Sequence, residues 1–346
     1  MAGYERTGNP QVHVRQIVSL PGPGTAFGGV DKIWTFSSTN VWVQGSNLTD
    51  SMYEQFQQVT QHFDGKQWTS YLPTFPGYEQ IVSSSFTNTW AIGNVEAGPH
   101  GHAIEMEFLD HFDGHAWKNV STVDTGYSGI GPMTVSGNDF WYVTDVKNQG
   151  YQTSIHHYSP LAGWHDITTA GLPTTNVIEK LVVVSPIDIW VTLGDQRVFH
   201  YNGLSWHETP IQPLYSLADI SATSSTDAWI SGTSTAGEAI VEHWNGKTWQ
   251  KVPLTPYLPS GFVRGGLKDQ VQGLFAFSRT DAWVIISIYP SGSPLFFFEH
   301  WNGSKWTLYT TPQYLPQYGV APLLKEHALG VVTGNSASQE LVALTP

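Results

Sequence analysis

Six serines in this 346-residue chain each stand three residues ahead of an acid or its amide. The pairs are Ser37 with Asn40, Ser85 with Asn88, Ser136 with Asp139, Ser185 with Asp188, Ser224 with Asp227, and Ser278 with Asp281. A histidine follows in each segment: His62, His111, His157, His200, His243 and His300. Hydroxyl, imidazole and carboxylate are the parts of an acyl-transfer triad, but such a triad needs one exposed serine with its own base. Six near-identical copies point instead to a repeated structural network. The six histidines also suggest a metal site. Equivalent positions on neighbouring sheets lie about 10 Å apart, whereas zinc ligands converge to about 2.0–2.1 Å from one ion, so a shared site is rejected. His100 and His102, near Glu96 and Glu105, form a separate loop pair that reads as solvated. No metal and no cofactor are expected.

A second set has the chemistry for acid–base or binding work. Nine residues before each acid or amide come Asp31, Glu79, Ile130, Glu179, Ala218 and Gln272. The next positions hold Lys32, Gln80, Gly131, Lys180, Asp219 and Gly273. An apolar core does not require charge there. The carboxylates have three readings: structural pairing with Lys32 and Lys180, binding of a cation or a polyhydroxylated ligand, or an acid/base pair. Glycosidases use two carboxyls about 5–5.5 or 6.5–9.5 Å apart. Aromatic residues stand just before the same strands, at Phe27, Tyr78, Tyr127, Tyr215, Phe262 and Tyr318, with Tyr257 and Tyr314 in the same loops. Such rings can stack on a sugar face or pack loop against loop. The connection over residues 253–270 is the longest and carries Arg264, Lys268 and Asp269. Long loops within compact domains are often functional, so this one is the first choice for a ligand-facing element.

The elements that must position these residues come from an internal repeat. Its first half is a serine, an acid or amide, and a tryptophan at Trp42, Trp90, Trp141, Trp190, Trp229 or Trp283. The second half reads HFDGKQW, HFDGHAW, HYSPLAGW, HYNGLSW, HWNGKTW and HWNGSKW, the third being longer and without the Asn-Gly turn. Each unit parses as four short strands, with Asp-Gly or Asn-Gly predicted as the two-residue hairpin turn before the last. Four strands repeated about every 40–50 residues are the signature of a β-propeller. Residues 318–346 supply three strands without a closing element, and residues 11–20 supply an orphan strand before Pro21. Pairing the two ends in one blade removes both sheet edges. The expectation is an all-β, seven-bladed propeller in one domain, 1–346. Its blades run approximately over 30–73, 78–122, 129–169, 177–210, 217–253, 271–312, and 318–346 plus 11–21.

The repeats resemble the Trp-rich propeller repeats of bacterial cell-surface and secreted proteins, over nearly the whole chain. They are more loosely similar to the Asp-box repeats of sialidase-like propellers, with the departure that Asp64-Gly65 and Asp113-Gly114 are adjacent where the Asp box has an intervening residue. The serine, histidine, acid and tryptophan set resembles the hydrogen-bonded set of WD-repeat propellers. The resemblance implies a fold and carries over no activity. Sialidases clamp a carboxylate with three arginines, and of Arg6, Arg15, Arg197, Arg264 and Arg279 only Arg264 is expected in an entering loop.

Composition excludes other classes. The chain has 15 Lys+Arg against 28 Asp+Glu, a net charge of −13, which disfavours a nucleic-acid partner. With Cys at 0, disulfides, thiolate metal sites and cysteine nucleophiles are absent. No apolar run approaches the roughly 18–20 residues of a membrane-spanning helix. The opening MAGYERTGNP lacks the apolar stretch of a signal peptide, leaving a cytoplasmic protein or a mature secreted chain, with an extracellular or cell-surface location preferred. In propellers the innermost strands line a central channel, and the expected function is a non-enzymatic recognition module for a glycan, small molecule or partner protein at the channel mouth, the entrance formed by the loops that lead into the first strands. The alternative is a carbohydrate-active hydrolase or lyase using the carboxylates.

Overall fold

The computed structural model describes residues 9–21, 30–50, 55–75, 77–97, 104–124, 128–146, 152–173, 176–256, 269–289, 295–309, 320–323, 325–335 and 338–346. Among these, the strands run in chain order from β1 (His13–Ser19). Six sets of four follow: β2 (Lys32–Ser37), β3 (Asn40–Asp50), β4 (Gln55–Phe63) and β5 (Trp68–Tyr71); then β6 (Gln80–Ser85), β7 (Asn88–Ala97), β8 (Ile104–Phe112) and β9 (Trp117–Asp124). Next come β10 (Ser128–Ser136), β11 (Asp139–Val146), β12 (Gln152–Ser159) and β13 (Gly163–Ile167); and β14 (Ile178–Ser185), β15 (Asp188–Leu193), β16 (Val198–Tyr201) and β17 (Trp206–Glu208). The last sets are β18 (Ser216–Ser224), β19 (Asp227–Thr233), β20 (Ala239–Trp244) and β21 (Trp249–Lys251); β22 (Gln270–Ser278), β23 (Asp281–Ile288), β24 (Leu295–Trp301) and β25 (Trp306–Tyr309); and β26 (Val320–Leu323), β27 (Ala328–Asn335) and β28 (Ser338–Thr345).

Each set of four makes one four-stranded sheet in sequence order, and the last sheet has the order β1-β28-β27-β26. The protein is a seven-bladed β-propeller, closed as expected by its N-terminal strand. The Leu20 N–H donates to the Gln339 carbonyl at 2.8 Å, extending that pairing beyond the strand.

The hairpin between the third and fourth strands differs from the sequence expectation in one detail. Phe63 pairs with Trp68, and the Asp64 N–H donates to the Gln67 carbonyl at 3.3 Å. The two central residues are therefore Gly65 and Lys66, not Asp64 and Gly65. Gly65 has φ +95°, and a Cβ there would meet Thr39 Cγ2 at 2.6 Å. Glycine at the first central position is the requirement of a II′ turn. The aspartate is needed for its acceptor: Asp64 Oδ1 takes the N–H groups of Lys66 at 2.8 Å and Gln67 at 2.9 Å.

The chain divides into two compact units. One comprises Val18–Leu181 and Asn335–Glu340 and contains the sheets β2–β5, β6–β9 and β10–β13. Its cores form between successive sheets. Trp42 packs with Tyr78, Phe108, Phe112 and Trp117 of the next sheet. Trp90 packs in turn with Met133 and Phe140. The other unit comprises Met1–Ile17, Val182–Gly334 and Leu341–Pro346. There the same arrangement recurs around Trp190, Trp229 and Trp283. A buried indole removes about 150–250 Å² from water, worth roughly 4–6 kcal/mol gross at ~25 cal/mol/Å². The six first-half tryptophans are all buried. The second-half set is uneven: Trp117, Trp206 and Trp306 are buried, whereas Trp164, in the blade with the irregular hairpin, is 43% exposed.

Candidate functional site

The repeated polar residues form a network that is narrower than the expected four-membered set. In four blades the histidine Nε2 meets the aspartate: His157 with Asp139 at 2.8 Å, His200 with Asp188 at 2.7 Å, His243 with Asp227 at 2.6 Å and His300 with Asp281 at 2.9 Å. In all six blades the imidazole lies against the buried indole, closest at Trp141 and His157, with centroids 3.6 Å apart and planes 8° apart. The serine hydroxyl turns away to the hairpin. Ser37, Ser224 and Ser278 each accept the N–H two residues on, at 3.3 Å. Such local caps are the usual use of serine in tight turns.

The indole N–H joins the network only where the acid is an amide. Trp42 Nε1 donates to Asn40 Oδ1 at 3.2 Å and Trp90 Nε1 to Asn88 Oδ1 at 2.9 Å. Trp141, Trp190, Trp229 and Trp283 have no Nε1 partner among the described residues. Opposite the neutral amide the His62 Nε2–H donates to Asn40 Oδ1 at 3.1 Å, and burial, against the Asp64 charge, pushes His62 down to about 4. Burial likewise lowers His111. Ser37, Ser224 and Ser278 thus cap their own turns while the histidines bond the acids, the arrangement of a structural network. Ser224→Ala is expected to cost under about 1 kcal/mol, whereas Asp227→Ala, which strands His243, is expected to cost about 1–3 kcal/mol. Urea midpoints of the two variants check the difference.

The residues that break the periodicity lie at the opposite ends of the strands, where each crossover enters the first strand of its sheet. In the Val18–Leu181 unit, Lys32 Nζ bonds Glu79 Oε2 at 2.7 Å and the Tyr78 carbonyl at 3.0 Å. Tyr78 was expected at an open mouth but is fully buried. Its N–H donates to Gln44 Oε1 at 2.6 Å and its hydroxyl to Asp110 Oδ2 at 2.7 Å. Burial, then the Asp110 charge, hold that hydroxyl protonated. Tyr78 is thus an anchor that sets Glu79 beside Lys32. Beyond it lies a cavity of about 290 Å³ lined by Glu79, Gln80, Ile92, Gly93, Asn94, Glu107, Ile130 and Gly131. Four of these are the predicted entrance positions of two successive blades. Glu107 and Asn94 were missed, because they sit on the second and third strands at a register that the repeat does not mark. Glu107 Oε2 accepts the Ile130 N–H. Gly93 brings backbone close to the cavity wall, where a Cβ would lie 2.3 Å from the Gly77 carbonyl oxygen.

The other predicted residues are dispersed. Asp31, Glu179 and Lys180 are exposed. Tyr215 is 53% exposed and its carbonyl accepts Gln196 Nε2 at 3.2 Å. Asp219 is half-buried and accepts the Leu274 N–H at 3.1 Å, joining adjacent sheets. Asp269 was expected to face a ligand; it is buried and takes the Ala239 N–H at 2.7 Å. Tyr127, Arg264, Lys268 and Tyr318 lie outside the described residues, as do Phe27, Tyr257, Phe262, Tyr314 and the His100–His102 pair. Among the described residues no group of His, Asp or Glu is placed to hold a metal ion.

In the other unit, a cavity of about 320 Å³ is bounded by Asp195, Gln196, Arg197, Glu208 and the crossover Thr209–Leu214. Arg197 was not expected near an entrance. Its guanidinium bonds Asp195 at 2.7 Å and approaches Glu208 at 3.7 Å. Gln196 adopts φ +67°, a left-handed conformation that non-glycine residues rarely take. The only sequence signal is a compact polar turn, Gly-Asp-Gln-Arg.

No protein-family model matches the chain, and no curated protein matches it. Solved structures do. YCF48 bound to D1 peptide superposes with a TM-score of 0.54 at 13% identity, covering 98% of both chains. The GH74 xyloglucanase from Xanthomonas campestris gives 0.55 at 12% identity, covering 93% of this chain and 52% of that one. A PL25 ulvan lyase bound to -[GlcA(1-4)Rha3S]- gives 0.51 at 7% identity, over 94% and 95%. At these identities the likeness is one of fold: the chain is a β-propeller, similar in architecture to binding proteins and to glycan-active enzymes.

Proposed function

We propose that this protein is a non-catalytic recognition module that takes a glycan at the crossover ends of its blades. The carrying observation is the cavity beside Glu79. There Glu79, Gln80, Asn94 and Glu107 offer acceptors and amide donors around Ile92 and Ile130. Sugars present hydroxyls at their rims and C–H groups on their faces, so they need polar walls over an apolar floor. The structural role of the repeated serines and histidines also supports binding rather than acyl transfer. An extracellular or cell-surface location goes with this reading, as in the Trp-rich repeat proteins that the repeats resemble.

A second reading, a carbohydrate-active hydrolase or lyase, is supported by the two carboxylates on one cavity and by the xyloglucanase and ulvan lyase among the structural neighbours. The YCF48 complex supports a peptide as the alternative occupant. Calorimetric titration with neutral oligosaccharides, uronate oligosaccharides and peptides separates the three. Glu79→Gln and Glu107→Gln are each expected to weaken glycan binding about 10–100-fold, from roughly 1.5–3 kcal/mol for a charged hydrogen bond. Absence of binding to any saccharide, or release of saccharide products that Glu79→Gln abolishes, rejects the module reading.

A further inference from the structure

The residue just before each repeat histidine points to the opposite face of its strand. These residues are Gln61, Asp110, His156, Phe199, Glu242 and Glu299. Glu242 and Glu299, 2% and 0% exposed, stand on strands that are apolar apart from them and the repeat histidine. Each holds the crossover that leads into its own sheet. Glu299 Oε2 accepts the Thr255 N–H at 2.8 Å, and the Thr255 hydroxyl donates to the Trp306 carbonyl at 3.0 Å. Glu242 accepts a backbone hydrogen bond from Gln212. One oxygen of each, Oε1 of Glu299 and Oε2 of Glu242, has no partner among the described residues. A buried carboxylate oxygen without a partner is costly, whereas a neutral carboxylic acid at the same place costs far less.

The two glutamates differ in what stands beside them. Glu242 is in register with Ile230 on β19 and with Lys251 on β21. Glu299 is in register with Val284 on β23 and Leu308 on β25. From the crossover it meets Thr255, and among the described residues no charged side chain acts on it. Its strand neighbour His300 faces the other way, toward Asp281. We infer that Glu299 is a proton-operated latch on Val252–Pro256, the described start of the crossover: closed while its carboxyl is neutral, and biased open on ionisation because opening hydrates the charge, a gain that outweighs the stronger Thr255 N–H bond to the carboxylate. The glutamate at the equivalent position keeps a cation across the sheet and serves as an internal control. Burial, against the Thr255 hydrogen bonds, pushes the Glu299 carboxyl up to about 7. Burial also raises Glu242, with the Gln212 bond and the Lys251 charge pulling it back.

The sign follows from linkage. A carboxyl raised in the folded chain stabilises most below its unfolded value of 4.5, and that contribution is lost as pH rises through about 7. The test is amide hydrogen exchange of peptides spanning Val252–Pro256 at about pH 5.5 and about pH 8.5, corrected for intrinsic rates. Protection is expected to fall about tenfold or more at the higher pH in the native chain. It should stay constant in Glu299→Gln, which keeps an acceptor for Thr255 without a charge, while Glu242→Gln should leave the native fall in place. Leu308→Lys, which places a cation opposite Glu299 as Lys251 stands opposite Glu242, should shrink the fall. Equal protection of the native chain at both pH values overturns the latch, as does an undiminished fall in Glu299→Gln. If Glu299→Gln does not fold, the native urea midpoint decides: it must drop through neutrality, and a flat profile rejects the inference.

Discussion

Trp229→Ala is expected to lower the unfolding free energy by about 3–5 kcal/mol, the usual cost of emptying a large aromatic site in a core. The indole is fully buried and packs with Leu274, Val284, Trp306 and Leu308 of the next sheet. His243 lies against it at 4.1 Å and is held there by Asp227. Emptying the site therefore removes contacts from two blades and unseats an imidazole. Trp164→Ala is the matched control. It deletes the same side chain where the ring is 43% exposed and meets Tyr158, Tyr142, Trp90 and Phe140 from one side at 5.1–6.3 Å, so a smaller loss of about 1–2 kcal/mol is expected. Urea titrations with unchanged slope would give both numbers. Equal losses would mean that the indoles are not the cohesive element between blades.

Removing residues 1–19 is expected to have the next largest effect. It strips β1 from β28 and leaves a row of unpaired backbone groups on an edge that the native chain covers. Val12 is lost from the cluster around Trp283, Leu329 and Val342, at about 1.5–3 kcal/mol for that side chain alone. The Trp68 indole also loses its acceptor, the Ser19 carbonyl at 3.2 Å. The shortened chain should unfold at lower urea and sediment as associated species through the open edge. A synthetic peptide of residues 9–21 should restore both the midpoint and the sedimentation boundary of the intact chain. A truncated chain with the native midpoint would show that closure by the N-terminal strand contributes no stability.

Most of the architecture was legible because its signals are local or periodic. Alternating apolar residues, Asp-Gly turns and a tryptophan recurring once per unit need no long-range knowledge, and they yielded the blades and the shared last sheet. Even so, the turn is centred one residue later than the Asp-Gly preference places it. Its centre is set by where Phe63 and Trp68 pair, which dipeptide preference does not record. The resemblance to the WD-repeat set implies a serine bonded to its histidine, whereas Ser37, Ser224 and Ser278 take the hairpin N–H two residues on. Tyr78 and Asp269 looked like mouth residues because they precede a first strand. Both are buried, the one by a hydroxyl reaching Asp110 and the other by a carboxylate reaching Ala239.

Sequence by itself determined the blade count, the strand order and the separation of repeated scaffold from aperiodic chemistry, because strand periodicity and turn preference are written within a few residues. Tertiary structure decided which of the chemically similar carboxylates meets a cation, borders a cavity or is buried half-satisfied. Lys32 and Glu79 are 47 residues apart, and Glu299 reaches a crossover 44 residues away. Such pairings depend on where successive sheets place their strand ends, a matter of ångströms that no spacing along the chain encodes.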